Sequence, residues 1–284
     1  MMKPICLITG ATDGVGRATA IELARKGFTV VIAARDAAKA GAVVREIEAA
    51  TGRSDSDYII ADLRSLAQVR ALSDTFHQRY PRLDVLVNNA GIFPGARQIT
   101  GDGFEASYQV NYLSQFYLTH LMLNALKAAR AGRIINLSSS VHSGGKFDPQ
   151  NLQSEKKFSS FGTYANSKLL MLLFTIELAE RLKLTPITAN AVHPGVVRTP
   201  MMLRAPGIFR AVAYLSLPFA LSPSQGAETS VYLASSPEVS GVSGRYFARS
   251  REAAIKSAFN TPENREQLWN LSMQSLRLAE APLG

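Results

Sequence analysis

Short apolar runs of strand length alternate with stretches of helical periodicity along nearly the whole chain, and this alternation narrows the fold more than any other feature. Strands are predicted at 5–9, 29–33, 58–61, 85–87, 133–137, 188–192 and 245–247. Most of these runs are apolar throughout rather than at every second position, so both faces must be covered. Parallel strands joined by crossover helices meet that requirement. The expected architecture is a doubly wound α/β fold: one parallel sheet of about seven strands with helices on both faces. A chain of 284 residues can bury a large core as one unit, so residues 1–284 are expected to form a single domain. The one long region without clear periodicity is 138–162, the kind of segment a compact domain reserves for function. Residues 262–279 predict a surface helix, with Leu268, Leu271 and Leu278 packing back on the body.

Composition removes several classes of function. Hydrophobic residues make up 46% and charged residues 19%, the profile of a folded chain rather than a disordered one. The formal charge of +9 is spread over many segments, and its densest clusters, Lys156-Lys157 and Arg249-Ser250-Arg251, are short, so no nucleic-acid partner is expected. Cys6 is the single cysteine, and its neighbours Ile5 and Leu7 mark it as an inert core thiol. A reducing, cytoplasmic setting is the expectation. His77, His120, His142 and His193 lack metal-ligand spacing, and no metal is expected. The opening residues predict neither signal peptide nor anchor, and 201–221 is too interrupted by arginine and proline to span a membrane.

The first predicted strand runs into Thr9-Gly10-Ala11-Thr12-Asp13-Gly14-Val15-Gly16, followed by a helix at 17–26. Glycines in a strand-to-helix turn let backbone approach a pyrophosphate, and the helix start adds free N–H groups and the positive dipole end. Gly10, Thr12, Asp13, Gly14, Val15 and Gly16 are therefore candidate cofactor contacts. The second strand ends at Arg35, where an acidic residue would bind ribose hydroxyls and an arginine pairs with a 2′-phosphate. This favours NADP(H) over NAD(H), with the Asp13 carboxylate as the opposing signal.

These motifs, with Asp62-Leu63 after the third strand, Asn88-Asn89-Ala90-Gly91 after the fourth and Tyr164-Ala165-Asn166-Ser167-Lys168, resemble the short-chain dehydrogenase/reductase family, a Rossmann fold. The resemblance implies that Asp62 bonds the adenine amine, with Leu63 beside it, and that Asn88, Ala90 and Gly91 line the adenosine side. It implies that the turn from Pro194 and Gly195 to Val197 and Thr199 holds the nicotinamide carboxamide. It also assigns Ser139 to the substrate oxygen, with Ser138 and Ser140 as adjacent alternatives, and Asn111 to a water-linked proton relay.

Tyr164 and Lys168 stand four apart on a predicted helix and share one face. A free phenol near pKa 10 is a weak base at neutral pH, and a close ammonium is expected to lower it. Tyr164 is then the proton donor and acceptor, and Lys168 its activator and the group holding the nicotinamide ribose.

The stretch between Ser139 and Tyr164 is longer than in most of the family and contains Asn151-Leu152-Gln153-Ser154-Glu155-Lys156. With Val141-His142 and the late Glu266-Gln267-Leu268-Trp269, it is similar to the retinol dehydrogenase and WW-domain oxidoreductase branch, although an anchor and a WW domain are not evident. Segment 200–222 is rich in large apolar residues, among them Met201, Ile208, Phe209, Val212, Leu215 and Phe219. It is expected to form a lid over a small lipophilic substrate, with peripheral membrane contact through 201–221 as the other reading. The helices at 116–126 and 169–178 are more apolar than one buried stripe requires. Family members pair them with a neighbouring subunit, so a homodimer or homotetramer is expected. The function that follows is NADP(H)-preferring oxidoreduction of an aldehyde, ketone or retinoid-like carbonyl or alcohol, the alternative being a non-catalytic NADP(H)-binding redox sensor.

Overall fold

The computed structural model describes residues 3–203, 207, 210, 211, 214, 215 and 217–279. The sheet order is β3-β2-β1-β4-β5-β6-β7-β8. Its strands are β1 (Ile5–Thr9), β2 (Thr29–Ala34), β3 (Asp57–Ile60), β4 (Val85–Asn88), β5 (Arg133–Leu137), β6 (Thr188–His193), β7 (Tyr246–Ala248) and β8 (Arg251–Glu252). All neighbours pair in parallel except β8, which folds back on β7 through Phe247↔Glu252 and Ala248↔Arg251. The doubly wound parallel sheet read from the sequence is present, with eight strands in place of about seven. Two exposed charged residues carry no apolar run, so no hydrophobic pattern marks β8.

The main helices are α1 (Gly14–Arg25), α2 (Ala37–Thr51), α3 (Leu66–Arg79), α4 (Ser114–Lys127), α5 (Ser160–Arg181), α6 (Pro223–Ser235) and α7 (Pro262–Ser275). Asp36, Ser65, Ser159 and Ser222 each cap a helix start by accepting a backbone N–H three residues on, a bond worth about 1 kcal/mol apiece. The strand residues split cleanly between two cores. Ile5, Leu7, Val31, Ala33 and Leu86 pack with Phe76, Phe116 and Leu170 of α3, α4 and α5. Cys6, Ile8, Val30, Ile32 and Val87 pack with Leu23, Val43 and Val231 of α1, α2 and α6. Each fully buried aliphatic side chain contributes about 1.5–3 kcal/mol, which explains why the strands are apolar at consecutive positions.

The C-terminal helix differs from its sequence reading. It stops at Ser275, where Arg277 adopts φ 51° and the N–H groups of Arg277 and Leu278 bond the carbonyls of Gln274 and Met273, a Schellman closure. Its packing on the body is as read from the sequence for Leu268, which is 1% exposed, and for Leu278, which packs against the same core. Trp269 is 4% exposed, with its ring centroid 4.9 Å from Phe116, 6.2 Å from Phe174 and under the Arg181 guanidinium at 4.4 Å. Helix α7 thus covers apolar surface of α4 and α5 within the same chain, and Leu169 to Phe174 are each at most 3% exposed. Much of the apolar surface of α4 and α5, from which a homo-oligomer was expected, is buried within the chain. Trp269→Ala is expected to lower the unfolding free energy by about 3–5 kcal/mol, measured by chemical denaturation. A loss below about 1 kcal/mol would mean that α7 lies outside the cooperative unit.

Candidate active site

Strands β1 and β4 are neighbours in the sheet, and their following chains diverge to opposite faces, which opens a crevice at the carboxyl ends of the strands. The glycine turn forms its floor. Gly10 has φ 66°, and a Cβ there would lie 2.8 Å from Ala90 Cα, so the two turns touch backbone to backbone. A Cβ on Gly16 would stand 2.3 Å from Asn89 Nδ2 and 2.6 Å from the Gly10 carbonyl oxygen. The Thr9 hydroxyl accepts the N–H groups of Asn89 and Ala90, while Asn89 Nδ2 donates to the carbonyls of Thr9 and Gly10. Asp13 caps α1 by accepting from the Gly14 N–H at 2.7 Å. The N-terminus of α1 therefore meets the crevice with its N–H groups and positive dipole end.

The crevice is a cleft of about 660 Å³. Gly10, Thr12, Asp13, Gly14, Val15, Gly16, Arg35, Asp62, Leu63, Ala90, Gly91, Ser139, Tyr164, Lys168, Pro194, Gly195, Val197 and Thr199 all line it. Asn88 and Asn111 do not. Asn88 is fully buried and donates to Thr119 Oγ1 and Asn136 Oδ1, each at 2.8 Å, and Asn136 in turn donates to Thr175. This chain of bonds ties β4 and β5 to α4 and α5, and the neighbouring Asn89 lines the cleft instead. Asn111 sits in a single π-turn, Gln109–Leu113, a feature that often marks functional positions. Its amide exchanges bonds with the backbone of Ile92 at 2.7 and 3.0 Å and donates to Ser167 Oγ at 2.9 Å. It stands behind Gly91, where an added Cβ would lie 3.5 Å from Asn111 Oδ1 and 3.6 Å from Lys168 Nζ.

Helix α5 presents Tyr164 and Lys168 to the cleft one turn apart. The tyrosine ring rests on Phe93 at 4.9 Å, and Lys168 Nζ donates to the Leu137 carbonyl at 2.8 Å while lying 5.7 Å from the centre of the tyrosine ring. Burial pushes the Tyr164 phenol up to about 12 and the Lys168 ammonium down to about 8. The phenol, expected to be lowered by the nearby cation, is instead raised by burial. Ser139 caps a short 3-10 turn, Ser140–Gly144, and reaches the same cleft, as does Ser138. Ser138 Oγ is spent on the Lys168 carbonyl at 2.8 Å, and Ser140 does not line the cleft, which leaves Ser139.

At the other corner Arg35, Lys39 and Arg64 line the cleft together. Arg64 is committed to Asp62 at 2.7 Å. Burial pulls the Asp62 carboxyl up, but the Arg64 side chain and backbone N–H, followed by the Arg64 and Arg35 charges, hold it below the usual range. Sequence reasoning missed Lys39, although it falls one turn after Arg35 at the start of α2. It also missed Ile92, Phe93 and Phe161, which line the cleft without any motif to announce them, and it read Val141 as a mark of the branch rather than as part of the cleft wall. Met201 and Met202 of the proposed lid line it too. The ends of the lid are tied by a Val197↔Leu221 bridge, with Arg198 N–H on the Leu221 carbonyl and Leu221 N–H on the Val196 carbonyl, both within 2.9 Å. Ile208, Phe209 and Val212, named for the lid, lie outside the described residues. Among the described residues no helix is long and apolar enough to cross a membrane, and no group of side chains is arranged to hold a metal ion.

A doubly wound sheet with a glycine cradle and a Ser-Tyr-Lys group in one cleft defines an oxidoreductase of the nicotinamide-binding kind. Comparison with known proteins agrees. Residues 4–206 match the short chain dehydrogenase family. Retinol dehydrogenase 14 of Homo sapiens is 42% identical, over 94% of this chain and 84% of its own, and retinol dehydrogenase 12 of Mus musculus is 40% identical, over 96% and 86%. A solved but uncharacterized protein from Mycobacterium paratuberculosis superposes with a TM-score of 0.77 at 30% identity, covering 97% of this chain and 94% of that one. A short chain dehydrogenase from Shigella flexneri, solved with NADP, gives a TM-score of 0.70 at 26% identity, covering 87% and 97%. The chain belongs to the short-chain dehydrogenase/reductase family, in its retinol dehydrogenase-like branch.

Proposed function

We propose that the chain is an NADP(H)-preferring oxidoreductase that interconverts a lipophilic aldehyde, ketone or retinoid-like carbonyl with its alcohol. One observation carries the reading: Tyr164, Lys168 and Ser139 share a single cleft with the glycine cradle, beside an apolar wall of Phe93, Phe161, Met201 and Met202. The glycine cradle fits a dinucleotide, because Cβ atoms at Gly10 and Gly14 would meet Ala90 and Thr199 within 3 Å and narrow the floor. Bound there, the nicotinamide supplies the hydride.

The chain's own groups do the rest. Ser139 Oγ orients the substrate oxygen, and the Tyr164 phenol, protonated at neutral pH, gives it a proton as negative charge develops. The Lys168 ammonium offsets the resulting phenolate and holds the ribose side of the cofactor, while Asn111 holds the backbone of Ile92, next to Gly91. Arg35 and Lys39 are the cations that meet a 2′-phosphate, since Arg64 already neutralises Asp62. The whole chain acts as one Rossmann unit, with Pro200, Met201 and Met202 at the cleft. The exposure of Leu215 at 78% and Phe219 at 88% supports a role in taking lipophilic molecules from an apolar phase.

The test is absorbance at the reduced-nicotinamide band, with purified protein, NADPH or NADH, and a panel of lipophilic aldehydes and ketones that includes all-trans-retinal. NADPH oxidation dependent on the carbonyl and faster than NADH oxidation is the expected result. Tight NADPH binding without turnover across the panel would overturn the enzymatic reading.

A further inference from the structure

The peptide unit that follows Ser139 is gripped at both ends by histidine rings from different elements. Its carbonyl, that of Ser139, is 2.6 Å from His142 Nδ1, and its N–H, that of Ser140, donates to His193 Nδ1 at 3.2 Å. A carbonyl only accepts, so His142 must carry its proton on Nδ1. An amide N–H only donates, so His193 must be bare at Nδ1 and protonated on Nε2. Two neutral rings in opposite tautomers therefore hold one peptide plane.

The surroundings agree with that assignment. His142 is 2% exposed, and its Nε2 is buried with no hydrogen-bond partner, a position that a lone pair tolerates better than an N–H. The Tyr246 ring meets it edge-on at 4.8 Å. His193 ends β6, immediately before Pro194 and Gly195 of the cleft wall. Burial, then His142 and the Arg249 cation, push His193 down to about 4, so it stays neutral across the working range. Burial likewise lowers His142, against the opposing pull of its bond to the Ser139 carbonyl.

We infer that His142 and His193 are positioning residues: together they fix the 139–140 peptide plane, hence the aim of Ser139 Oγ, and His193 couples that aim to the Pro194-Gly195 turn. The catalytic part of this inference rests on the proposed role of Ser139. The tautomer pair stands on the geometry alone, so the two fail separately.

The experiment uses the full chain with 15N-labelled histidine. Long-range 1H–15N correlation at neutral pH, assigned through His142→Asn and His193→Asn among the four histidines, is expected to show Nδ1–H for His142 and Nε2–H for His193. The same tautomer in both rings, or an imidazolium in either, overturns the clamp whatever the enzyme does. In the carbonyl assay, His193→Leu removes the acceptor and is expected to lower kcat by about tenfold, with the NADPH KM held within about twofold. His193→Asn puts a carbonyl oxygen near the place of Nδ1 and is expected to recover kcat to within about threefold of the parent. Equal loss in both variants, or no loss in His193→Leu, overturns the positioning role.

Discussion

Tyr164→Phe is expected to lower carbonyl reduction by about a thousandfold while leaving the NADPH dissociation constant unchanged, because positioned acid–base groups contribute about 10²–10⁴-fold. The substitution deletes one oxygen and little else. The ring keeps its contact with Phe93 at 4.9 Å, the helix keeps its Ser159 cap, and Lys168 keeps its bond to the Leu137 carbonyl. Neither the glycine turn nor the Pro194–Thr199 wall touches the lost hydroxyl through any hydrogen bond. The loss should therefore fall on kcat with KM for the cofactor preserved, the pattern of an interaction made only as charge develops. Steady-state kinetics and a fluorescence titration with NADPH separate the two quantities. Turnover near the parental rate would remove Tyr164 from the chemistry and leave Ser139 or a water as the proton source.

The sequence was legible where chemistry and periodicity coincide. Consecutive apolar residues in β1, β2 and β4 imply burial on both faces, and the split of Leu7 from Ile8 between two cores is that implication made visible. The i, i+4 spacing of Tyr164 and Lys168 likewise places both in the cleft. Legibility ended where environment decides. Spacing brings a cation near a phenol, but it carries no information on desolvation, and in the folded chain desolvation raises Tyr164 instead. Asn88 and Asn89 are the same residue in adjacent places, and only strand alternation sends one into a buried network and the other to the cleft. The apolar excess of α4 and α5 says that something covers them, yet not whether the cover is another subunit or, as Trp269 shows, the chain's own end.

Arg35→Asp is expected to shift the kcat/KM preference for NADPH over NADH by about a hundredfold toward NADH. A charge-assisted hydrogen bond is worth about 1.5–3 kcal/mol and each tenfold about 1.4 kcal/mol, so losing the guanidinium alone accounts for one to two powers of ten. The introduced carboxylate adds repulsion of the 2′-phosphate and an acceptor for the ribose hydroxyls of NADH. Among the three cations in that corner, Arg64 is already paired with Asp62, and Lys39 offers a point charge without the planar fork that matches a phosphate. Arg35 is exposed, so the change should leave the thermal midpoint nearly unmoved, and the effect can be read as recognition rather than damage. Because the corner faces solvent, the NADPH advantage of the parent should also shrink as salt rises, whereas that of the variant should not. An unchanged preference in Arg35→Asp would move the phosphate contact to Lys39, and Lys39→Ala would then be the substitution that carries the hundredfold shift.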